Sequence, residues 1–385
     1  MQSELFLLKK RPAPDIFFYW GISSMLMIGW IFQIVYPGLT TNAFELLFVF
    51  LSVSAYLRKS THTRYTLTWV VIISLYTLIS LLYAVFIKGV NILDFIMAYK
   101  FTWYILLLLP FSNIKMLDKT SVYRLLKLTL IMFVLVYLIK FILGDDRPTF
   151  FIENNFEIML LCFLFYANHV INHYSKMLDM FLLLLITVIS GSRSGVVLAL
   201  ITVIFCTDIK QIIRTKNIFL PLAGVVGVIG AYFVFSSRTQ NGLESTDRYR
   251  FYQYFLESTA DWTWWQYLLG AERITKLPSH VCSQLSFYEK LLSFENNGSC
   301  YSVIFHSFNM RILYDHGIVV ILILILILNN ILKNRSLKEK ALIFLLLFMN
   351  GLSVSSINSV YAALGVAILA SIPRRSEIVL KNRDS

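Results

Sequence analysis

The sequence contains few charged residues for its length. Only 15% of its 385 residues are Asp, Glu, Lys or Arg, whereas 57% are hydrophobic and the mean hydropathy is +0.69. A soluble globular domain has about a quarter of its residues charged. So few charges cannot cover the surface of a soluble protein, and most of the chain must therefore face lipid. The composition excludes an ordinary soluble enzyme or binding domain.

Acidic residues are scarcer than basic ones, with 22 Asp and Glu against 34 Lys and Arg and a formal net charge of +12. In a soluble domain this excess would indicate nucleic-acid binding. Here the basic residues lie mostly in short connections between apolar runs, which is the topological signal of a membrane protein. We therefore expect no nucleic-acid partner.

Cysteine is also rare, with four in the chain. Cys162 and Cys206 lie in apolar runs, where a packing role is expected. Cys282 and Cys300 lie together in the one long polar segment. These two could form a disulfide bond if the segment is exported, but the sequence does not decide this.

Long apolar runs are abundant. Roughly 17–25 apolar residues are enough to cross a bilayer, and the chain offers about twelve such runs, some of them short. The runs are Ile16–Val35, Asn42–Leu57, Thr66–Ile87, Asn91–Pro110, Val122–Leu143, Asn155–His173, Met177–Ser190, Val197–Thr207, Ile218–Phe235, Gly317–Ile331, Ala341–Leu352 and Ile357–Ile372. We predict an all-α, polytopic integral membrane protein that forms a single membrane domain over residues 1–385.

The distribution of Lys and Arg predicts the orientation. If the N-terminus is cytoplasmic, most basic residues lie on the cytoplasmic side, as the positive-inside rule requires. The short outside segments and their helix ends keep only Lys88, Lys140, Arg147 and Arg193. This alternation predicts that both termini are cytoplasmic. It also predicts that residues 236–315 form a large outside loop before the last three helices.

Several unusual residues gather on the predicted outside face, although arginine near a bilayer is costly. They are Arg147 with Glu153 and Asn155, Arg193 in the turn Gly191-Ser192-Arg193-Ser194-Gly195, Arg248 and Arg250 at the start of the long loop, and His306, Asn309 and Arg311 near its end. Each alone has a simpler interpretation as a polar turn, a surface ion pair or a hydrogen-bonded interface histidine. Their coincidence on one membrane face favours a shared functional site.

The long loop also contains the aromatic segment Asp261-Trp262-Thr263-Trp264-Trp265-Gln266-Tyr267. Tryptophan and tyrosine are enriched at the membrane interface, so an interfacial belt is the favoured interpretation of this segment. A platform on which sugars stack is the alternative.

The basic residues suit one class of ligand. The planar guanidinium group of arginine binds phosphate oxygens with two donors and keeps its charge near lipid. Two or three arginines beside a bilayer would therefore hold a lipid-linked diphosphate. A nearby histidine could accept a proton from an incoming hydroxyl group. Nucleotide sugars are absent outside the cell membrane, so glycan synthesis there would use lipid-diphosphate donors.

Four stretches of the chain, all between about residues 140 and 330, resemble a known family. Residues 189–196 resemble its S-x-SR-S/G turn, and residues 147–155 resemble a loop ending in Glu-Pro-Asn, with Asn154 in place of proline. Residues 247–270 resemble a segment in which an arginine precedes Leu-Leu-Gly. His306 and Asn309, followed by Gly317, resemble a His-Asn segment with two inserted residues. The family is the superfamily of Wzy-type O-antigen polymerases and O-antigen ligases, which are bacterial surface-glycan enzymes.

The resemblance implies a glycosyltransferase in the bacterial inner membrane with its active site facing the periplasm. Such an enzyme moves a growing glycan from undecaprenyl diphosphate onto a sugar hydroxyl of another lipid-linked repeat unit. The implied catalytic residues are His306, as base or acceptor-orienting group, and Arg193, which would stabilise the leaving diphosphate. The implied substrate-binding residues are Arg147, Arg248, Arg250, Glu153, Asn155 and Asn309.

The implied partners are lipid-linked oligosaccharides as donor and acceptor, membrane lipid, a chain-length regulator and a flippase. The resemblance implies no cofactor and no metal ion. Metal-dependent relatives in the broader class of membrane glycosyltransferases usually carry acidic motifs in the first outside loop, whereas residues 36–41 contain no acidic residue. A ligase that transfers the glycan to lipid A-core shares this site and is the alternative. A lipid-glycan flippase or transporter is a further alternative. Transporters often have charged or broken helices at the bilayer midplane, whereas Lys100 is the only basic residue near the middle of a predicted span, which counts against this alternative.

Overall fold

The structure is a computed structural model that describes residues 13–35, 39–58, 63–172, 177–207, 247–288, 293–295 and 297–373. Within these ranges the chain forms helices and turns and no β-strand. The helices are α1 (Ala13–Val35), α2 (Leu39–Tyr56), α3 (Arg64–Leu81), α4 (Ile92–Leu108), α5 (Lys119–Ile142), α6 (Asn154–Asn172), α7 (Met177–Ile189), α8 (Arg193–Cys206), α9 (Asp247–Thr259), α10 (Trp264–Leu269), α11 (Ser279–Gln284), α12 (Phe308–Ile331), α13 (Leu337–Gly351) and α14 (Val360–Ser371). A π-helical turn extends α3 to Ile87, and a 3-10 turn extends α4 to Asn113.

Four helical stretches among the described residues are long and apolar enough to cross a membrane. They are Arg64–Ile87, Ile92–Asn113, Lys119–Ile142 and Phe308–Ile331. Shorter apolar helices accompany them, at Phe18–Gly29, Thr41–Tyr56, Met177–Ile189, Arg193–Cys206 and Val360–Ser371. The all-α prediction is thus confirmed for the described residues, and the apolar helices fit a membrane protein.

The number of spans and their orientation are not tested by these helices. The total of about twelve spans stays a prediction, as does the cytoplasmic placement of both termini. The predicted span Ile218–Phe235 lies outside the described residues, as do residues 236–246 of the predicted loop.

Helix α12 begins earlier than the sequence predicts. The apolar run begins at Gly317, but the helix begins at Phe308, because the Ser307 hydroxyl caps it by accepting a hydrogen bond from the Met310 backbone N–H at 3.4 Å. Gly317 then interrupts the helix with φ 70° and ψ −177°. The last part of the predicted loop, residues 308–315, is therefore helical.

Helices α6 and α14 form the centre of the bundle. Every side chain from Val360 to Ser371 is buried, and α6 is buried along almost its whole length. Gly365 in α14 meets the ring of Phe163 in α6 so closely that a Cβ atom there would collide with it. Helices α2, α4, α5, α8 and α13 pack around this pair. A tightly packed pair of this kind gives the surrounding helix ends a rigid support.

The described residues between 247 and 307 pack on one end of the bundle, which we call the loop end. The Lys88 ammonium group, after α3, donates to the backbone oxygen of Glu272. Asp94, at the start of α4, accepts a hydrogen bond from the Ser293 hydroxyl at 2.6 Å. Cys282 and Cys300 form a disulfide bond, the pairing that the sequence left open. These bonds fix the loop to itself and to two apolar helices.

Connections between other helices meet at the opposite end. The Asn334 side chain, after α12, donates to the Ser112 carbonyl after α4 at 3.1 Å. The Met116 backbone N–H donates to the carbonyl of Ser371, the last residue of α14, at 3.0 Å. The bundle therefore has two distinct polar ends separated by apolar helices.

Two ion pairs lie between helices of the bundle. The carboxylate of Glu45 in α2 accepts hydrogen bonds from Lys100 and from Tyr104, both in α4. Lys127 in α5 pairs with the buried carboxylate of Asp179 in α7. Lys100, which the sequence marked as the one basic residue near a span centre, is thus paired with a carboxylate. Pairing is the usual arrangement of an ionisable side chain within an apolar bundle.

Candidate functional site

The turn between α7 and α8 presents Arg193 at the loop end. Gly191 has φ 59°, a conformation that residues with a Cβ atom rarely adopt. The Ser192 hydroxyl then caps α8 by accepting a hydrogen bond from the Gly195 backbone N–H at 3.0 Å. Arg193 is the first residue of α8 and is partly exposed, whereas Ser192 and Ser194 on either side of it are buried.

Asn155 in α6 holds this turn in place. Its side chain is buried, and its amide oxygen accepts hydrogen bonds from the hydroxyls of Ser194, at 2.8 Å, and Ser192. Its amide nitrogen donates to the carboxylate of Glu153 at 2.8 Å. Asn155 and Glu153, both predicted to bind substrate, therefore make their described contacts within the protein and orient the helix start that carries Arg193.

The loop between α5 and α6 presents Arg147. Lys140, in the last turn of α5, donates to the carbonyl of Thr149 at 2.6 Å. The Arg147 backbone N–H donates to the Asp145 carboxylate at 2.9 Å, so Asp145 shapes the turn. The Arg147 side chain itself is exposed.

A buried carboxylate that the sequence did not single out anchors the same loop. Glu157 in α6 is fully buried and accepts the backbone N–H groups of Phe150 and Phe151, both at 2.7 Å. It also accepts the Tyr137 hydroxyl at 2.8 Å. The available signal was one acidic residue in the apolar run Asn155–His173. Glu157 thus acts as a positioning residue for the loop that carries Arg147.

The segments that carry Arg147 and Arg193 meet at the start of α6. Asn154, at the end of the Arg147 loop, donates to the Ser190 carbonyl at 2.8 Å, and Asn155 accepts the Ser194 hydroxyl at 2.8 Å. Helices α6 and α8 both begin at this point. Helix N-termini carry partial positive charge and unpaired N–H groups, so the whole region attracts anions. Arginine guanidinium groups bind phosphate oxygens with two donors, so a phosphate-bearing ligand would suit these two arginines.

His306 lies where the long loop enters α12. It follows the 3-10 turn Ser302–Phe305 and adopts φ 57°, a conformation that is strained for a residue with a side chain. Its ring lies 5.3 Å from the Phe251 ring and 5.8 Å from the Tyr288 ring, measured between centroids. The imidazole is thus enclosed on two sides by aromatic rings of the loop.

The surroundings of His306 favour its neutral form. Burial lowers the pKa of His306 most, and the positive charges of Arg311 and Arg248 lower it further. The negative charge of Asp247 acts in the opposite direction. A neutral imidazole at neutral pH can accept a proton from a hydroxyl group, as the predicted role requires.

Helix α9 carries Arg248 and Arg250, both exposed, next to His306. Asp247, at the helix start, accepts the Tyr288 hydroxyl at 2.8 Å. Burial and this hydrogen bond raise the pKa of Tyr288 to about 12, whereas Arg250 opposes the shift. Both predicted arginines of the loop therefore lie among the charged groups around His306 and Tyr288.

The end of α13 connects the two parts of the site. Asn155 accepts a hydrogen bond at its carbonyl from the Asn350 side chain at 3.4 Å. The Ser307 hydroxyl, directly after His306, donates to the Gly351 carbonyl at 2.8 Å. Asn309 donates to another carbonyl of the last α13 turn at 3.1 Å. The residues around Arg193 and those around His306 thus contact the same helix end.

A second polar cluster lies beneath His306 in α12. Arg311, Asp315 and His316 are all buried, and Arg311 donates to a backbone carbonyl of α4 at 3.1 Å. Asp315 accepts the Ser302 hydroxyl, and His316 Nδ1 shares a hydrogen bond of 2.7 Å with the Tyr76 hydroxyl. The sequence did not single out Asp315 and His316, because they lie where the predicted loop meets the apolar run that begins at Gly317, whereas the structure places both in α12.

Metal binding was not expected, and the described residues contain no group of three His, Cys, Asp or Glu side chains that could hold a metal ion. The absence of any need for a metal or cofactor stays a prediction.

The predicted site residues therefore form two groups at the loop end. The arginine group consists of Arg147, Glu153, Asn155 and Arg193, and the histidine group consists of Arg248, Arg250 and His306, with Asn309 beside the α13 end between them. A scan against protein-family models finds no family that matches the chain, and a search of the curated proteins finds no match.

Proposed function

We propose that the protein is a bacterial surface-polysaccharide polymerase, a glycosyltransferase of the inner membrane. It transfers a glycan from undecaprenyl diphosphate to a lipid-linked repeat unit at the periplasmic face and needs no metal ion. The loop end of the bundle is its periplasmic end. The disulfide bond between Cys282 and Cys300 supports this placement, because such bonds persist in oxidising compartments.

The observation that carries the proposal is that α6 holds the segments of both Arg147 and Arg193 at the same end of the bundle. Glu157 binds the backbone just after Arg147, and Asn155 binds the serines on both sides of Arg193. A structure that keeps such an arrangement favours an anionic ligand, and a lipid diphosphate can reach it from the bilayer. The buried bonds of Asn155 and Glu157 support this interpretation, since they fix both arginine-bearing segments in advance.

The proposed reaction conserves atoms and charge. The bond between C1 of the donor sugar and the diphosphate oxygen breaks, and a bond between C1 and the acceptor hydroxyl oxygen forms. The hydroxyl proton passes to the His306 imidazole, and undecaprenyl diphosphate leaves with the bonding electrons. Arg147 and Arg193 stabilise the charge that develops on the leaving diphosphate. Arg248 and Arg250 bind phosphate or sugar oxygens beside His306.

The remaining predicted residues have supporting roles in this proposal. Glu153 and Asn155 orient the start of α8, and Asn309 holds the start of α12 against the end of α13. The proposed partners are the lipid-linked donor and acceptor, with a chain-length regulator and a flippase acting beside the enzyme.

Complementation of a deletion strain tests the proposal. Surface polysaccharide from strains that carry the wild-type protein, Arg193→Ala or His306→Ala is separated on a gel. We expect single repeats and no ladder in the deletion strain, and a ladder only with the wild type. Removal of one preorganised charge contact lowers the rate by about 100- to 1000-fold, which is enough to abolish the ladder.

The chain provides a matched control for each variant. Arg64 is exposed and is the first residue of α3, just as Arg193 is the first residue of α8. It lies at the opposite end of the bundle. His280 is an exposed histidine in the same loop as His306. Arg64→Ala and His280→Ala should keep the ladder. A full ladder from Arg193→Ala and His306→Ala at normal expression would refute the site. Long chains retained on the lipid carrier in the deletion strain would identify a ligase instead.

A further inference from the structure

Helix α10 exposes three large apolar side chains that the proposed reaction does not use. Trp264 is 60% exposed, Trp265 is 56% exposed and Leu269 is 61% exposed. The two indole rings stack on each other with their centroids 3.6 Å apart. A surface of this kind on a short helix requires an explanation, because large apolar groups exposed together mark contact sites.

The position of α10 is fixed by close backbone contacts with α12. Gly270, with φ 83°, lies directly against the backbone of Asp315 and His316, where a Cβ atom would not fit. The Ala271 backbone N–H donates to the Tyr314 carbonyl at 2.7 Å. Trp262, just before α10, packs its ring on the Tyr314 ring with centroids 5.2 Å apart. Helix α10 is therefore held at the level of residues 314–317 of α12.

This level is the boundary of the exposed apolar surface of the bundle. In α12 the residues from Phe308 to Gly317 are buried or half-buried, and the exposed apolar side chains begin at Ile318 and Val319. On α3 the exposed apolar side chains end at Ile87, and the following Lys88 donates to the carbonyl of Glu272, just after α10. The limits of the exposed apolar surface on α12 and on α3 thus both lie next to the segment that contains α10.

We propose that α10 is an interfacial membrane anchor, with Trp264, Trp265 and Leu269 inserted among the lipid headgroups of the leaflet at the loop end. The exposed apolar side chains of α10 lie at the level where the lipid-facing apolar surfaces of α3 and α12 end, and they therefore continue those surfaces. Indole rings prefer the headgroup region, where the apolar ring and the polar N–H group are both accommodated. The anchor would hold the loop, and with it α9, close to the membrane. This inference does not depend on the proposed enzymatic function.

Fluorescence quenching of the full-length protein in phosphatidylcholine nanodiscs tests the anchor. Spin labels are placed on the lipid either near the headgroup or near the chain end, and iodide serves as the quencher in water. The fluorescence of the two indoles is obtained by subtracting the fluorescence of the double variant Trp264→Phe/Trp265→Phe from that of the wild type. We expect the headgroup label to remove most of this difference signal, and iodide and the chain-end label to remove little of it.

Trp262→Phe is the matched control, because Trp262 lies in the same loop but packs on Tyr314. Its removal should leave quenching by the headgroup label unchanged. Strong iodide quenching with little quenching by lipid labels would overturn the anchor. Protection from iodide by repeat-unit oligosaccharide would instead identify a sugar-stacking surface. If the double variant does not reach the membrane, Trp264→Phe and Trp265→Phe are measured singly, with the same two outcomes.

Discussion

The amide oxygen of Asn155 in α6 accepts a hydrogen bond from the Ser194 hydroxyl in α8 at 2.8 Å. The same oxygen also accepts the Ser192 hydroxyl, so the residues on both sides of Arg193 are bound to one buried side chain. The direction of Arg193 is therefore determined from the neighbouring helix as well as by its own turn.

Asn155→Ala should both destabilise the protein and abolish polysaccharide synthesis. The substitution leaves two buried hydroxyls without their acceptor, which costs about 1–3 kcal/mol for each group that finds no other partner. Thermal unfolding in detergent measures the loss of stability, and the surface-polysaccharide gel measures function. Asn329→Ala, which removes an exposed asparagine of α12, should change neither. Unchanged stability and a normal ladder from Asn155→Ala would contradict this role.

Glu157→Gln should loosen the loop that carries Arg147. The two oxygens of Glu157 accept the backbone N–H groups of Phe150 and Phe151 separately, and a glutamine offers only one such oxygen. We expect faster hydrogen exchange at residues 147–151, with destabilisation of about 1–3 kcal/mol. Tyr137→Phe removes one donor and leaves both backbone bonds, so it should affect exchange in the loop much less. Equal hydrogen-exchange rates at residues 147–151 in the wild type and Glu157→Gln would contradict the role of Glu157 in holding this loop.

The activity should depend on pH through His306. The imidazole is active as a base when neutral, so the rate falls as the pH drops through the pKa of His306. Burial and nearby arginines lower this pKa, which places the acid limb of the wild-type profile below the usual histidine value of about 6.5. Arg248→Gln removes a positive charge and should shift the limb to higher pH. Asp247→Asn removes the opposing negative charge and should shift it to lower pH.

The rate of polymerisation of purified lipid-linked repeats across pH measures these shifts. Lys276→Gln is the control, because Lys276 lies in the same loop and pairs with Glu295. The charge of Lys276 is not among those that act on His306. Shifts of Arg248→Gln and Asp247→Asn in the same direction would contradict the proposed role of His306 as base.

The features that could be predicted from the sequence are those determined by residues close together in the chain. The turn before Arg193 could be predicted because Gly191 and Ser192 determine its backbone and its cap locally. The sequence pattern predicts the start of α12 too late. The apolar run begins at Gly317, whereas the helix begins after the cap at Ser307, which is a single polar residue. Polar caps at the start of an apolar run are weak signals beside the run itself.

Contacts between distant parts of the chain could not be predicted. The role of Glu157 depends on backbone groups of the preceding loop and on Tyr137 in α5, and nothing in its local sequence indicates them. The Asn154 side chain donates to the Ser190 carbonyl at 2.8 Å, across 36 residues of sequence, and its local sequence does not indicate this bond either.

Cys282→Ser/Cys300→Ser should destabilise the long loop without unfolding the bundle. A disulfide that closes a short loop contributes about 2–4 kcal/mol. Limited proteolysis of residues 247–307 should therefore be faster in the variant, whereas Cys162→Ser in the core of α6 should leave loop cleavage unchanged.

The same bond tests on which side of the membrane the loop lies. In a strain that lacks the periplasmic oxidation system, Cys282 and Cys300 should remain reduced, because that system keeps the periplasm oxidising. Maleimide labelling of the denatured protein should then modify all four cysteines without a reductant, whereas the protein from a normal strain should gain two labels only after reduction. Four labels without reductant in both strains would place the loop in a reducing compartment. That result would exclude the periplasmic site.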